Sequence, residues 1–359
     1  MIQSNISRRL NDLATIGATL DGGVTRRAFS DEDIAARDRV ISYMEESGLK
    51  VRLDEDTNII GYKEGSTDLP AIVTGSHIDT VPNGGKYDGA LGVIAGIEVV
   101  ANIQEPRHTL EVVVFTDEES TMCGSKGMTK NREDDIAAFL ELHVEQGPVL
   151  EAEQKEIGIV TGIVGQRRFS VSLYGVANHA GTTPMDLRDD ALLKASELAL
   201  YVREQALEFG SGLVATVGKF EVSPNAANVV PDRVDLTVEC RDLSLEALVD
   251  FEVVLRAKVL ELGGTIDLQY KSVPVLSDEC VNWAITKAAN KFSDDVMELP
   301  SRASHDAQEL GRRWPMGMIF IPSAAGVSHN PKEYSTAKNC LTGTSVLQET
   351  IEILDELLV

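Results

Sequence analysis

The sequence predicts an α/β protein whose central mixed sheet belongs to one domain, with a smaller α+β domain of ferredoxin-like order inserted into it. Three observations carry that expectation: a strand, helix, strand unit between Leu69 and Glu119, a β-α-β-β-α-β succession beginning near residue 166, and a return of the α/β pattern after about residue 274. The expected domains are residues 1–165 with 275–359, and residues 166–274. A chain of 359 residues, 43% of them hydrophobic, can bury two cores at roughly 100–200 residues per domain.

The elements follow in order. Ile6, Leu10 and Leu13 stand at helical spacing, and "DEDIAARDRVISYMEESG" is a second helix that starts acidic and stops at Gly48. The alternation in "LKVRLDEDTNIIGYKEG" predicts a hairpin. "LPAIVTGSH" and "LEVVVFTDEE" are short, continuously apolar runs, the pattern of strands buried on both faces, and the helical "GALGVIAGIEVVANI" lies between them. In the insert the order is strand "RRFSVSLYG", helix "RDDALLKASELALYVREQALEFG", strands "GLVATVGKFEVS" and "DRVDLTVECRD", helix "SLEALVDFEVVLRAKVLELG" and strand "TIDLQYKSV". A helix around Trp283, the strand "PMGMIFIPS" and the helix "TGTSVLQETIEILDELLV" close the first domain.

A net charge of −24 makes phosphate backbones and anionic lipid poor partners, so nucleic acid and membrane surfaces are not expected. The N-terminal stretch lacks a charged-then-apolar leader layout and no window approaches a membrane span, so a cytoplasmic location is expected. Cys123, Cys240, Cys280 and Cys340 are scattered without a C-x-x-C pair, the pattern of free thiols.

Of six histidines, His108 in "EPRHTL" sits in an ordinary connection and is expected at the surface. The other five, His77, His143, His179, His305 and His329, lie in polar, turn-rich stretches. His77 and Asp79 are two apart at a strand end, so both point the same way. Asp88 precedes a helix start, where capping would explain it alone. The second strand runs into Asp117, Glu118 and Glu119. Two neighbouring strands that gather five acids and a histidine at one sheet end need a cation or protons to offset the repulsion. Imidazole and carboxylate without thiolate suit zinc or manganese, and two ions about 3.5–4 Å apart would account for the number of acids, with one carboxylate bridging and one free as a base.

"GSHIDTVPNGGKYDGALGV", "TDEES", "LELHVEQGPVLE", "VANHAGTTPM", "NVVPDRVDLTVECRD" and "PSAAGVSHNPKEY" together resemble the M20 family of dinuclear metallohydrolases, in collinear order from Ile59 to Tyr334. Within it they are most similar to the branch of N-carbamoyl-amino-acid hydrolases, β-ureidopropionases and allantoate amidohydrolases. The resemblance implies two divalent ions per subunit, zinc or manganese, with cobalt or nickel as further candidates. It implies that His77 and His143 ligate one ion, Glu119 and His329 the other, and that Asp88 bridges. Glu118 would be the general base for a metal-bridging water, and Asp79 would orient His77. His179 would reach the substrate of a neighbouring subunit, in a homodimer formed through the inserted domain, while Gln146, Asn228 and Arg241 would hold the substrate's amide and carboxylate. The implied reaction is hydrolysis of a linear C–N bond in a carbamoyl, ureido or amidine group on a small carboxylate. An M20 peptidase or deacylase acting on an ordinary amide, and a non-catalytic binding protein of the same fold, are the alternatives.

The match departs at "EESTMCGS", where Ser120 replaces the family's glycine and Met122 its arginine, and the connection from Glu119 to His143 is shorter than usual. "SRASHDA" also differs, which leaves His305 and Asp306 without assigned roles.

Overall fold

A computed structural model describes residues 2–210 and 212–358. The chain divides into two compact units, Met1–Ile163 with Leu276–Val359, and Val164–Val275.

The first unit opens with α1 (Ile2–Leu13), whose Ile6, Leu10 and Leu13 are buried. In α2 (Asp31–Glu46) the Ser30 side chain caps the Asp33 N–H, and acids at 31, 32 and 33 favour the positive helix end. The hairpin of β1 (Lys50–Leu53) and β2 (Ile59–Lys63) is antiparallel. It leads to β3 (Ala71–His77), α3 (Ala90–Asn102) and β4 (Leu110–Phe115). Every residue of β3 and β4 is buried, as their unbroken apolar runs require. The chain continues through α4 (Cys123–Asn131), β5 (Ile136–Val144), the short α5 (Val149–Ala152) and β6 (Ile157–Ile163).

The second unit holds β7 (Gly165–Tyr174), the two-residue β8 (Asn178–His179), α6 (Ala191–Phe209), β9 (Val214–Ser223), the two-residue β10 (Val229–Val230), β11 (Arg233–Asp242), α7 (Leu245–Glu261) and β12 (Thr265–Ser272). Its four long strands pair antiparallel in the order β12-β7-β11-β9. Burial alternates along β11, so the inward residues of the sheet meet Ala195, Leu198, Phe251 and Leu255 of α6 and α7 on one side only.

The return to the first unit runs through β13 (Val275–Leu276), α8 (Glu279–Phe292), β14 (Val296–Ser301), α9 (Asp306–Leu310), β15 (Met316–Ile321) and α10 (Ala337–Leu357). Its sheet has the order β1-β2-β4-β3-β5-β15-β6-β13, with β14 on β6. The central β4, β3, β5 and β15 are mutually parallel, whereas β2 and β6 join antiparallel, so the sheet is mixed. Arg9 Nη1 lies 2.6 Å from Glu98 Oε1, a buried ion pair that ties α1 to α3 and whose disruption from one side costs about 3–5 kcal/mol. No helix among the described residues is long and apolar enough to cross a membrane.

The structure departs from the sequence pattern at several points, the short helices α4, α5 and α9 among them. Strands β5, β6 and β14 escape it, because Glu141 and His143 interrupt the apolar run of β5 and glycines interrupt that of β6. His108 is not a surface residue: it is 1% exposed, its Nδ1 is 2.6 Å from the Pro70 carbonyl oxygen, and its Nε2 faces that of Leu358. Chain segments distant in sequence cover a histidine that its own neighbours leave open.

Candidate active site

Adjacent parallel strands β4, β3 and β5 end on the same side of the sheet, where open α/β sheets build their sites. His77 ends β3 opposite Phe115, the last residue of β4, and Thr116 to Ser120 follow as a turn in which Asp117 has φ 59°. His143 comes from the end of β5, Asp88 from the turn before α3, and His329 from the loop between β15 and α10. Gly89 separates Asp88 from α3 at φ 62°, and a Cβ there would stand 2.5 Å from His77 ring atoms, so only glycine allows this approach.

The Asp88 carboxylate is the hub. Its Oδ1 lies 3.6 Å from His77 Nε2 and 3.2 Å from His143 Nε2, and its Oδ2 lies 3.3 Å from His329 Nε2. His329 Nε2 is also 3.5 Å from Glu119 Oε2. His77, Asp88 and His143 form one group, and Asp88, Glu119 and His329 another, with the donor atoms of each within 4.8 Å of one another. Two donors at about 2.0–2.1 Å from one tetrahedral zinc ion stand about 3.4 Å apart, so the separations and the donor types fit two divalent ions sharing Asp88. The other ring nitrogens are committed: His77 Nδ1 lies 3.0 Å from the Asp79 carbonyl oxygen and His143 Nδ1 lies 2.8 Å from that of Val144. Donation from Nδ1 fixes the tautomer that leaves the Nε2 lone pair for an ion.

Without ions the cluster draws protons. Burial pulls the His77 imidazole down, but Glu118, Asp88 and Asp79 together outweigh it and hold it well above its ordinary value. Burial pushes Asp88 up, and the bonds from His143, His329 and His77 overcome that and hold it well below the usual carboxylate range. His329 is raised to about 9, first by its bond to Asp88. Glu118 is pushed well up by burial, with Asp306, Glu119 and Asp88 adding repulsion. Its carboxylate lies 3.6 Å from His77 Nε2 and has no hydrogen bond among the described residues.

The family model for peptidase family M20/M25/M40 matches residues 73–353. The chain belongs to this family. It is 36% identical over 405 aligned positions to an N-carbamoyl-L-amino acid amidohydrolase of Geobacillus stearothermophilus, with 98% of each chain covered. It is 37% identical over 401 positions to an allantoate amidohydrolase of Bacillus subtilis, with 98% of this chain and 97% of that one covered. The crystal structure of a hydantoinase/carbamoylase family amidase from Burkholderia multivorans superposes with a TM-score of 0.91 at 32% identity, covering 98% of this chain and 97% of that one. This M20 chain is therefore an enzyme, an amidohydrolase of carbon–nitrogen bonds other than peptide bonds.

In the M20 chain a second layer steadies the first. Asp79 meets His77 Nδ1 through its carbonyl oxygen, with its Oδ1 3.6 Å from the same nitrogen, and its carboxylate also accepts the N–H groups of Glu118 (3.3 Å) and Glu119 (3.2 Å), which sets the turn carrying both glutamates. Gln146, at φ 58°, donates from Nε2 to Asp88 Oδ2 at 2.9 Å and leaves a buried Oε1 without a hydrogen-bond partner among the described residues. Three participants escape sequence reasoning. Glu333 accepts the N–H groups of Tyr87 (3.0 Å) and Asp88 (3.1 Å), and Ser328 donates its hydroxyl to Glu333 at 2.8 Å. Glu141, fully buried, accepts from Ser76 Oγ and the Ala307 N–H. The available signals are small: Glu333 follows His329 by four residues, and Glu141 shares a strand face with His143. His305 packs edge-on against His143 with ring centroids 4.6 Å apart, and its Nε2 lies 2.9 Å from Ser301 Oγ. Burial and His143 hold His305 well below its ordinary value, and burial and Glu141 hold the neighbouring Asp306 well above its own.

The remaining sequence candidates lie in the second unit. His179 is exposed on β8, paired with Val229 of β10, and the Ala180 N–H donates to the Asn228 carbonyl oxygen at 3.0 Å, so His179 and Asn228 share one local ladder. Arg241 on β11 pairs with Glu239, Nη2 to Oε1 2.7 Å.

Proposed function

We propose that the chain hydrolyses the carbamoyl or ureido C–N bond of a small carboxylate, an N-carbamoyl amino acid or allantoate, at a centre of two divalent ions. The observation that carries this reading is the Asp88 carboxylate, which presents one oxygen to His77 and His143 and the other to His329, with Glu118 unbonded alongside. His77, His143 and Asp88 would hold one ion, and Asp88, Glu119 and His329 the other; zinc or manganese suits these donors, with cobalt or nickel acceptable. The chemistry such ions supply when bound is Lewis acidity toward a carbonyl oxygen and acidification of water.

Glu118 takes the proton of the attacking water as its oxygen adds to the carbamoyl carbon, and returns it to the leaving nitrogen as the C–N bond breaks. Its position suits it to that role, since its carboxylate stands beside the cluster with no hydrogen bond among the described residues to compete for the proton. The products are the amino acid and carbamic acid, which decomposes to carbon dioxide and ammonia. Asp79 keeps Glu118 in place by accepting its backbone N–H. The free Oε1 of Gln146 offers an acceptor to a substrate N–H. Arg241, Asn228 and His179 serve as the carboxylate and amide contacts of the inserted unit, and that unit pairs with a second copy. Supporting the pairing, Leu193, Leu200 and Leu207 of α6 are 59%, 63% and 66% exposed at a spacing of seven, one helix face, and β9 is an edge strand.

The test is ammonia release from N-carbamoyl amino acids and allantoate by stripped protein resupplied with zinc, manganese or cobalt. Ammonia-forming turnover that depends on added metal is expected. Release of free acid from N-acyl substrates with no ammonia from this panel would transfer the chain to the deacylase reading.

A further inference from the structure

We propose that the cavity beside Glu119 is a side-chain subsite that selects N-carbamoyl amino acids bearing a large apolar or aromatic side chain, with Phe29 as its main contact; this rests on the carbamoyl-hydrolase reading above. The cavity measures about 510 Å3 and is lined by Arg27, Phe29, Val81, Pro82, Glu119 and Ser120 among others. It begins at a residue of the metal-binding set, and it is far larger than a hydrogen or hydroxyl substituent needs.

Phe29 is the decisive member. It is 64% exposed and its backbone sits at φ 66°, a region unfavourable for a residue bearing a Cβ. Both properties oppose stability, and strain kept at the rim of a reactive centre points to function. The conformation is held firmly. The Phe29 N–H donates to the Asp33 carboxylate at 2.9 Å. Arg26 and Thr80 exchange two bonds, Arg26 N–H to Thr80 Oγ1 and Thr80 N–H to the Arg26 carbonyl oxygen, each 2.8 Å. The buried Arg26 guanidinium donates to the carbonyl oxygens of Ile78 (2.6 Å), Leu13 and Ile16 (both 3.0 Å). Ile78 and Thr80 flank Asp79, so the loop that presents Phe29 is fastened to the strand end that carries His77. An exposed aromatic carried on a fixed backbone segment beside the reacting centre offers apolar groups a surface already in place.

The charges around the cavity select against anionic side chains. A carboxylate would meet Asp79, Asp117 and Glu119, which border the same space. The Asp79 oxygens are already occupied by two backbone N–H groups and Asp117 by the Thr121 hydroxyl, so neither acid needs a ligand. An aromatic ring suits both walls, packing on Phe29 and stacking against the Arg27 guanidinium.

The experiment measures kcat/KM of the metal-loaded full chain for N-carbamoylphenylalanine, N-carbamoylleucine, N-carbamoylglycine and allantoate. The wild type is expected to favour the phenylalanine over the glycine derivative at least about tenfold, and Phe29→Ala to lower that ratio about tenfold, within the range that apolar pocket contacts give. Phe29→Leu should restore most of the ratio. Circular dichroism and metal content monitor folding, and Val81→Ser, expected to lower the same ratio, replaces Phe29→Ala should the latter not fold. A ratio that neither variant moves overturns the subsite. So does a wild type that turns over N-carbamoylglycine or allantoate as well as the bulky derivatives, an outcome that leaves the carbamoyl-hydrolase reading standing. Turnover of none of the four refutes that reading and the subsite with it.

Discussion

Replacing Glu333 by alanine should destabilise the protein by about 1–6 kcal/mol and weaken its hold on metal about 10–100-fold, the range for partners that position metal ligands. Glu333 is 5% exposed, and its Oε1 accepts two backbone N–H groups, those of Tyr87 and Asp88. Each buried donor left without a partner costs about 1–3 kcal/mol. Water entering the vacated space would satisfy one of the two, and losing the repulsion between Glu333 and Asp88 returns part of the cost, which sets the lower end. The same N–H bonds fix the backbone of Asp88, so their loss frees the hub carboxylate to turn away from His143 and His329. Glu333→Gln keeps an acceptor, gives up the stronger bonds of a charged one, and relieves the repulsion; these effects oppose, and its stability should stay within about 1 kcal/mol of the wild type. Urea unfolding of metal-free protein reports the first quantity, and competition with a chromophoric zinc chelator the second. An alanine variant that unfolds at the wild-type urea concentration and binds zinc as tightly would refute the positioning role.

Glu118→Gln should keep metal content and fold while kcat falls at least about a hundredfold, the span for removing a general base; unchanged turnover removes Glu118 from the mechanism. Mixing His179→Ala with Glu118→Gln protomers should regain activity in verified heterodimers, and none regained would count against a site completed by the partner. His108→Leu should lower stability by about 1–3 kcal/mol in denaturant titrations, since it removes the buried ring that sits between the Pro70 and Leu358 carbonyl oxygens and leaves a buried acceptor without its donor; a variant of wild-type stability would show that neither contact matters.

The legible part of this molecule is the part whose partners are close in sequence. His77, Asp79, Asp88, Glu118 and Glu119 all belong to one strand, helix, strand unit, and the buried β3 and β4 announce themselves as unbroken apolar runs, so their convergence follows from the chain order alone. His143 and His329 come from segments that no local pattern ties to that unit, and only the motifs around them link them to it. Glu141 and Glu333 are harder still. A glutamate in a sequence looks solvated until the structure shows what it accepts, here a serine hydroxyl and the N–H of Ala307 in one case and the turn before α3 in the other.

The same contrast explains why chemistry reads more easily than specificity. A metal centre needs few residue types at close range, and five such residues with a free base beside them leave a recognisable trace. A side-chain subsite needs only surface of the right shape. Phe29 lies 48 residues before His77 in a loop of unremarkable composition, and what makes it informative is its exposure, its left-handed backbone and the Arg26 and Thr80 bonds that fix it, none of which a sequence displays.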